Sequence, residues 1–121
     1  MAADKPKVYS EDQIKAKLEA ELPRWQLQDG WIRRKYKTGG WSHTLMAVNA
    51  IGYIAEACFH HPDLSVSYAE VHVKLQTHSA GGVTDNDFEL AKRIEQHVTW
   101  LPGEDSPFDG FEKGFGKKWT R

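Results

Sequence analysis

Three histidines and two acidic residues fall at spacings suited to proton transfer. The chain reads Glu56-Ala57-Cys58-Phe59-His60-His61-Pro62, then Tyr68, Thr77-His78 and Asp87. Imidazole titrates near neutral pH, so rings brought together from separate elements can give and take protons without a metal. His60 follows Glu56 by four positions, and on a helix that spacing puts the carboxylate beside the His60 ring, where it is expected to fix the tautomer. The partial negative charge at a helix C-terminus favours the protonated ring as well. Pro62 restricts His61 to extended backbone, so the two rings are expected to diverge and take different tasks.

Other chemistries fit these residues less well. Clustered histidines can hold zinc, but the chain has no His-Glu-x-x-His run and no cysteine pair, and no metal is expected. A serine hydrolase would need a Gly-x-Ser-x-Gly elbow, which is missing. Cys58 sits in an apolar helical stretch, where a free thiol is expected to pack as a small hydrophobe and not to act as a nucleophile. Taken singly, each residue has an ordinary use: a helix-end histidine as a cap, Asp87 as a first-turn helix residue. The reading rests on their combination.

The elements that must position these residues follow from pattern. Residues 1–8 are expected to be irregular. Ser10 and Gln13 form a capping box for a helix reaching about Leu22, stopped by Pro23. Trp25–Gln28 and Trp31–Tyr36 alternate around Asp29-Gly30, a hairpin turn signal. A long helix is expected from about Trp41 to Phe59, with Leu45, Val48, Ala55 and Phe59 along one buried line and Ile51, Ile54 and Cys58 beside it. Leu64–Tyr68 and Val71–His78 alternate as a second hairpin. Thr84 can cap a third helix carrying Phe88, Leu90, Ala91, Ile94 and Val98. The result is an α+β fold of order α-β-β-α-β-β-α, a four-stranded antiparallel sheet with three helices packed on one face. His60 and His61 then close the second helix and His78 closes the last strand. His72 shares the strand face of His78 but lies roughly 20 Å away along it, too far to share a small site. His97 has no part in the pattern.

Composition bounds the remainder. The 121 residues suggest one domain, with its core at about 10–99 and an aromatic-anchored tail at 100–121. Lys and Arg number 16 against 17 Asp and Glu, a balance that offers no electrostatic case for nucleic acid or an anionic membrane. The single cysteine precludes an intrachain disulfide and suggests a reducing compartment. The start of the chain has no apolar signal segment, and no stretch approaches a spanning helix. A cytoplasmic protein is expected.

The run Glu56-x-x-x-His60-His61-Pro62, with Tyr68, His78 and Asp87 at their spacings, resembles the active-site motif of the pterin-4a-carbinolamine dehydratases. Thr77-His78-Ser79-Ala80-Gly81-Gly82-Val83-Thr84-x-x-Asp87 is similar to that family's loop into its last helix, and the element order is similar over residues 10–99. The resemblance implies loss of water from a 4a-hydroxytetrahydropterin to give the quinonoid dihydropterin, after aromatic amino-acid hydroxylases have used their pterin cofactor. It implies no metal or other cofactor, the pterin being the substrate. By the same resemblance His60, His61 and His78 are the catalytic histidines, with His60 and His78 as the acid/base pair and His61 mainly holding the substrate. Phe59, Gln76, Thr77 and Ser79 match pterin-contacting segments, while Glu56 and Asp87 are supporting carboxylates. Homodimers or homotetramers are implied too. The alternative on the same fold is a non-enzymatic binding or assembly protein, or a transcriptional dimerisation cofactor. Three features depart from the family pattern: Tyr36–Trp41 replaces a Phe-rich strand end, Phe59 replaces a polar residue, and the tail is longer.

Overall fold

The computed structural model describes residues 7–121; the first six residues of the expected irregular start lie outside the described residues. Helix α1 (Glu11–Glu21) opens on the expected capping box. Gln13 N–H donates to Ser10 Oγ at 3.2 Å, and Ser10 N–H donates to Gln13 Oε1 at 2.9 Å. Strands β1 (Gln26–Gln28) and β2 (Trp31–Lys37) meet at Asp29-Gly30. Both turn residues have positive φ, 54° and 82°, as the tight two-residue hairpin turn requires.

Helix α2 (Trp41–Cys58) leads to β3 (Asp63–Ser67) and β4 (Glu70–Leu75), and α3 covers Asp85–Val98. The sheet order is β1-β2-β4-β3, antiparallel throughout. Central β2 and β4 turn Ile32, Tyr36, Val71, Val73 and Leu75 toward the helices, where all are buried with Ile51, Phe88 and Ile94. The α+β class, the antiparallel sheet and the three main helices are those expected.

One inward position of β2 is Arg34, buried among apolar neighbours. Its partner is Glu95 of α3. Glu95 Oε1 accepts from Arg34 Nε at 3.0 Å, from Trp25 Nε1 at 3.0 Å and from Tyr36 Oη at 2.7 Å, and Oε2 accepts from Arg34 Nη2 at 3.2 Å. The carboxylate thus ties β2 and the approach to β1 onto α3. Burial pushes the Glu95 carboxyl up, but the Arg34 and Tyr36 hydrogen bonds outweigh it and hold it below the usual range.

Four local expectations change. The buried line of α2 runs through His43, Thr44, Ala47, Ile51, Ile54 and Ala55, while Leu45 and Phe59 face outward. The helix axis is set by where α3, β3 and β4 pack against it, and an apolar count alone could not orient so hydrophobic a helix. Cys58 is exposed, not packed. Strand β4 ends at Leu75, and His78 instead begins a 3₁₀ turn, His78–Ala80. A short helix α4 (Phe111–Phe115) occurs in the tail. Sequence reasoning was silent on His43, which the tail buries. His43 ring packs on Trp119 and Phe111, with centroids at 4.2 and 5.0 Å. Its Nδ1 accepts from Gly39 N–H at 3.3 Å, and its Nε2 meets Thr120 Oγ1 at 2.8 Å. Burial pushes the His43 imidazole down, so it is held neutral.

Replacing Glu95 with alanine leaves a buried guanidinium unpaired, and chemical denaturation should show a loss of about 3–5 kcal/mol. Because its folded-state pKa is depressed, the Glu95 contribution is full above the unfolded value of about 4.3 and is lost as pH falls through the folded value. Acid unfolding should therefore be less steep in Glu95→Ala; an unchanged acid slope and unchanged stability would contradict the assignment.

Candidate active site

Helix α2 stops because Phe59 adopts the left-handed conformation, φ 49° and ψ 44°, with its N–H returned to Glu56 and the following His60 N–H to Ala55. That reversal turns His60 away from the helix line it would otherwise continue. Pro62 then carries the chain into β3. As a result the two adjacent rings part, His60 inward and His61 outward.

His60 Nε2 lies 2.6 Å from Asp87 Oδ1, with side-chain exposures of 17% and 0%. His61 Nε2 lies 2.7 Å from Glu56 Oε1, but there the exposures are 53% and 72%. Glu56 therefore orients His61 and not His60, contrary to the helical spacing argument. That argument assumed the helix continued to His60, and the left-handed turn at Phe59 ends it first.

Asp87 is the centre of the site. It sits at the third position of α3 and completes a capping box with Thr84: Thr84 N–H donates to Asp87 Oδ2 at 2.9 Å and Asn86 N–H donates to Thr84 Oγ1 at 3.2 Å. Thr77 Oγ1 donates to Asp87 Oδ2 at 2.8 Å. Since Thr77 has only one hydroxyl proton, the 2.8 Å contact between the threonine hydroxyls must be donated by Thr84. Every donor around the buried carboxylate is thereby assigned, and the remaining oxygen edge, Oδ1, is directed at His60. An acceptor there selects the His60 tautomer with the proton on Nε2 and leaves Nδ1 as the free lone pair.

The same Thr77 places His78. Thr77 N–H donates to Gly82 O at 2.9 Å, closing the 77–82 loop. A Cβ at Gly82 would meet Val8 Cγ1 at 2.6 Å, so glycine lets Val8 pack closely on this loop. His78 and Ser79 are exposed on this loop, and His78 packs edge-on against Trp31, centroids 5.5 Å apart. Gln76 is engaged elsewhere, donating through Nε2 to Gly30 O at 3.0 Å. Phe59 is exposed and edge-on to His61 at 5.2 Å. Hydrogen bonding thus joins His60, Asp87, Thr77 and Thr84, with His78 and Ser79 on the same loop. His61, Glu56 and Phe59 form a separate, exposed group at the helix end. Tyr68, part of the sequence motif, is exposed at the β3–β4 turn, with its carbonyl accepting from Thr44 Oγ1 at 2.8 Å. His72 pairs with Glu70 at 3.2 Å and His97 bonds its own helix at Arg93 O, so both stand outside the site. Among the described residues no three His, Cys, Asp or Glu side chains gather as a metal site would require.

Thr84 and Trp31 were not singled out for this site by sequence reasoning. The Thr84-x-x-Asp87 capping box was a signal for the first; nothing local in the sequence pairs Trp31 with His78.

A four-stranded antiparallel sheet with a helix-end histidine on a buried carboxylate, and a second histidine one residue from that carboxylate's threonine partner, defines a small α+β protein with a histidine–carboxylate site. The family model described as pterin 4 alpha carbinolamine dehydratase matches residues 7–97, and the chain belongs to that family. A protein of Aquifex aeolicus, provisionally named a pterin-4-alpha-carbinolamine dehydratase, is 46% identical over 89 residues, 74% of this chain and 89% of its own length. One from Sulfolobus acidocaldarius, with the same provisional name, is 40% identical over 71% of this chain and 93% of its own length. A crystal structure from Brucella melitensis, described as a transcriptional coactivator/pterin dehydratase, superposes with a TM-score of 0.68 at 30% identity, covering 74% of this chain and 96% of that one. Residues 98–121 lie beyond the family match.

The two histidine–carboxylate pairs should respond differently to deletion. Asp87→Ala removes three buried hydrogen bonds and half a capping box, and should cost about 2–4 kcal/mol in denaturant unfolding. Glu56→Ala should cost less than about 0.5 kcal/mol, its pair being exposed. In NMR spectra the His60 ring signals should move in the first variant and the His61 signals in the second; the opposite pattern would overturn the pairing.

Proposed function

We propose that this chain eliminates water from a 4a-hydroxytetrahydropterin. In the reaction the C4a–O bond breaks and the oxygen leaves as water, taking a proton from an acid. The adjacent ring nitrogen gives its proton to a base, and its electron pair forms the new N=C4a bond of the quinonoid dihydropterin. No electrons are exchanged with another reactant, so two proton carriers suffice.

The observation that carries the proposal is the buried His60–Asp87 pair joined through Thr77 to the His78 loop. His60, with Asp87 behind Nε2, presents Nδ1 as the base; the carboxylate stabilises the imidazolium that results. His78, exposed on its loop, is the acid for the departing hydroxyl. His61 and Phe59, at the open helix end, hold the pterin, as do the backbone and side-chain groups of Gln76, Thr77 and Ser79. Pterin is the substrate in this scheme, and neither metal nor further cofactor takes part. A pterin-dependent aromatic amino-acid hydroxylase would supply the substrate. Among the described residues no helix is long and apolar enough to cross a membrane, and a cytoplasmic setting belongs to the same proposal. In a purely binding or assembly role the His60–Asp87 pair would serve only to hold the end of α2, the 77–82 loop and α3 together, and its loss would leave no dehydration rate to lower.

His60→Ala and His78→Ala should each lower the dehydration rate at least about a hundredfold, with His61→Ala acting mainly on KM. The rate should trace a bell against pH. Near-wild-type turnover in both variants would defeat the proposal.

The chain is also proposed to form homodimers or homotetramers. Support comes from apolar side chains left outside on α2: Leu45, Met46 and Tyr53, exposed by 40%, 54% and 80%. Large apolar side chains exposed on one helix are what an interface between copies would cover. Light scattering on the purified protein should give a multiple of the chain mass, reduced in Leu45→Glu/Met46→Glu; a monomer at micromolar concentration would refute it.

A further inference from the structure

The sheet face turned away from the helices carries a second feature with no part in the reaction above. Register arranges its side chains in rows. Arg33 lies opposite Gln26 on one flank and Lys74 on the other, and Lys74 in turn lies opposite Asp63. The next row sets Lys35 opposite His72. These rows floor an open cavity of about 670 Å³, with Arg24 at its margin. A cavity of that size suits a small molecule.

Its charge is one-sided although the whole chain is nearly neutral. Arg24, Arg33, Lys35 and Lys74 line it, against the single carboxylate of Asp63. The acidic residues of the chain lie largely on the helices and the tail. Lys35 has a loose partner in Glu70 at 3.7 Å, and Arg33 has one in exposed Asp29 at 3.8 Å. Lys74 Nζ rests over the Trp31 ring, 4.5 Å from its centroid. Among the described residues neither Lys74 nor Arg24 forms an ion pair.

Two details oppose the folded state's own stability. Like charges directly opposite on a ladder are destabilising, and Arg33 and Lys74 are such a pair. Arg33 Nε is also buried without a hydrogen-bond partner, an arrangement that costs free energy until an acceptor arrives. Anionic oxygens between the two cations would relieve the first; Nε, which has no exposed surface, would gain an acceptor only if the Arg33 side chain moved.

We propose that this sheet face binds a compact phosphate-bearing small molecule, anchored by Arg33 and Lys74 with Arg24 and Lys35 completing the charge. The guanidinium fork of Arg33 suits phosphate oxygens, and Lys74 adds a point charge beside it. Single-stranded nucleic acid fits less well, because no Phe, Tyr or Trp lines the cavity to stack bases and nearby Trp31 is covered by Lys74. An acidic peptide would gain main-chain pairing at a sheet edge, not on its face.

Calorimetric titration of the full chain with sodium tripolyphosphate at low ionic strength tests this. One saturable site is expected, weakened about tenfold or more in Arg33→Gln and in Arg24→Gln/Lys35→Gln. The folding of each variant is read independently by its melting temperature. Without ligand, Arg33→Gln should melt no lower than wild type, since it removes the opposed charge; at equal concentration tripolyphosphate should raise the wild-type melting temperature more than that of Arg33→Gln. Undiminished binding by Arg33→Gln would overturn the proposal. So would equal binding of sulfate, or tighter binding of a single-stranded oligonucleotide or a polyglutamate peptide.

Discussion

The Asp87 carboxylate is the constraint on which the site depends. It is fully buried, and a buried charge persists only when its acceptor positions are filled. Thr84 N–H fills one and thereby starts α3. Thr77 Oγ1 fills another and thereby fixes the loop that follows β4. His60 fills the third and thereby locates the end of α2. One side chain thus joins the start of its own helix and the loop before it to the end of α2, 27 positions earlier. The cost of leaving any of its oxygens unpaired keeps those elements in register, so the fold's stability and the position of the His60 ring share a single origin.

Glu95 performs the corresponding task at the other end of α3. Its carboxylate takes the buried Arg34, and the same oxygen gathers Trp25 and Tyr36. Tyr36 remains a neutral donor there, because burial and then the Glu95 charge push its phenol far up. Helix α3 is therefore fastened to the sheet by an acid near each end, with Phe88, Leu90, Ala91 and Ile94 buried between them. Positional accuracy of this kind is what the proposed proton transfer would need, since a donor or base displaced by an ångström loses much of its effect.

Legibility in the sequence varied with the range of the determining interaction. Capping boxes at Ser10 and Thr84, the Asp29-Gly30 turn, the stop at Pro23 and the alternation of β3 and β4 all rest on a few neighbouring residues, and each could be read directly. The inward side of α2 could not, because that helix is apolar nearly all round and its orientation follows from α3 and the strands packed against it. The partner of His60 was likewise a long-range matter. A spacing of four favoured Glu56, but a single left-handed residue, Phe59, ended the helix and gave Glu56 to His61. Trp31 beside His78 and the tail over His43 join residues about fifty and eighty positions apart in order-of-magnitude terms, and no local pattern announces such pairs.

The sequence by itself determined the elements, their order, the family motif and which histidines to consider, because these depend on side-chain type and short-range periodicity. The tertiary structure alone decided which carboxylate serves which histidine and which face of α2 stays outside. It also showed that a nearly neutral chain separates its charge, with cations on the open sheet face. The physical reason is common to all three: each is set by desolvation and hydrogen-bond satisfaction between distant segments, and those terms exist only once the chain has closed on itself.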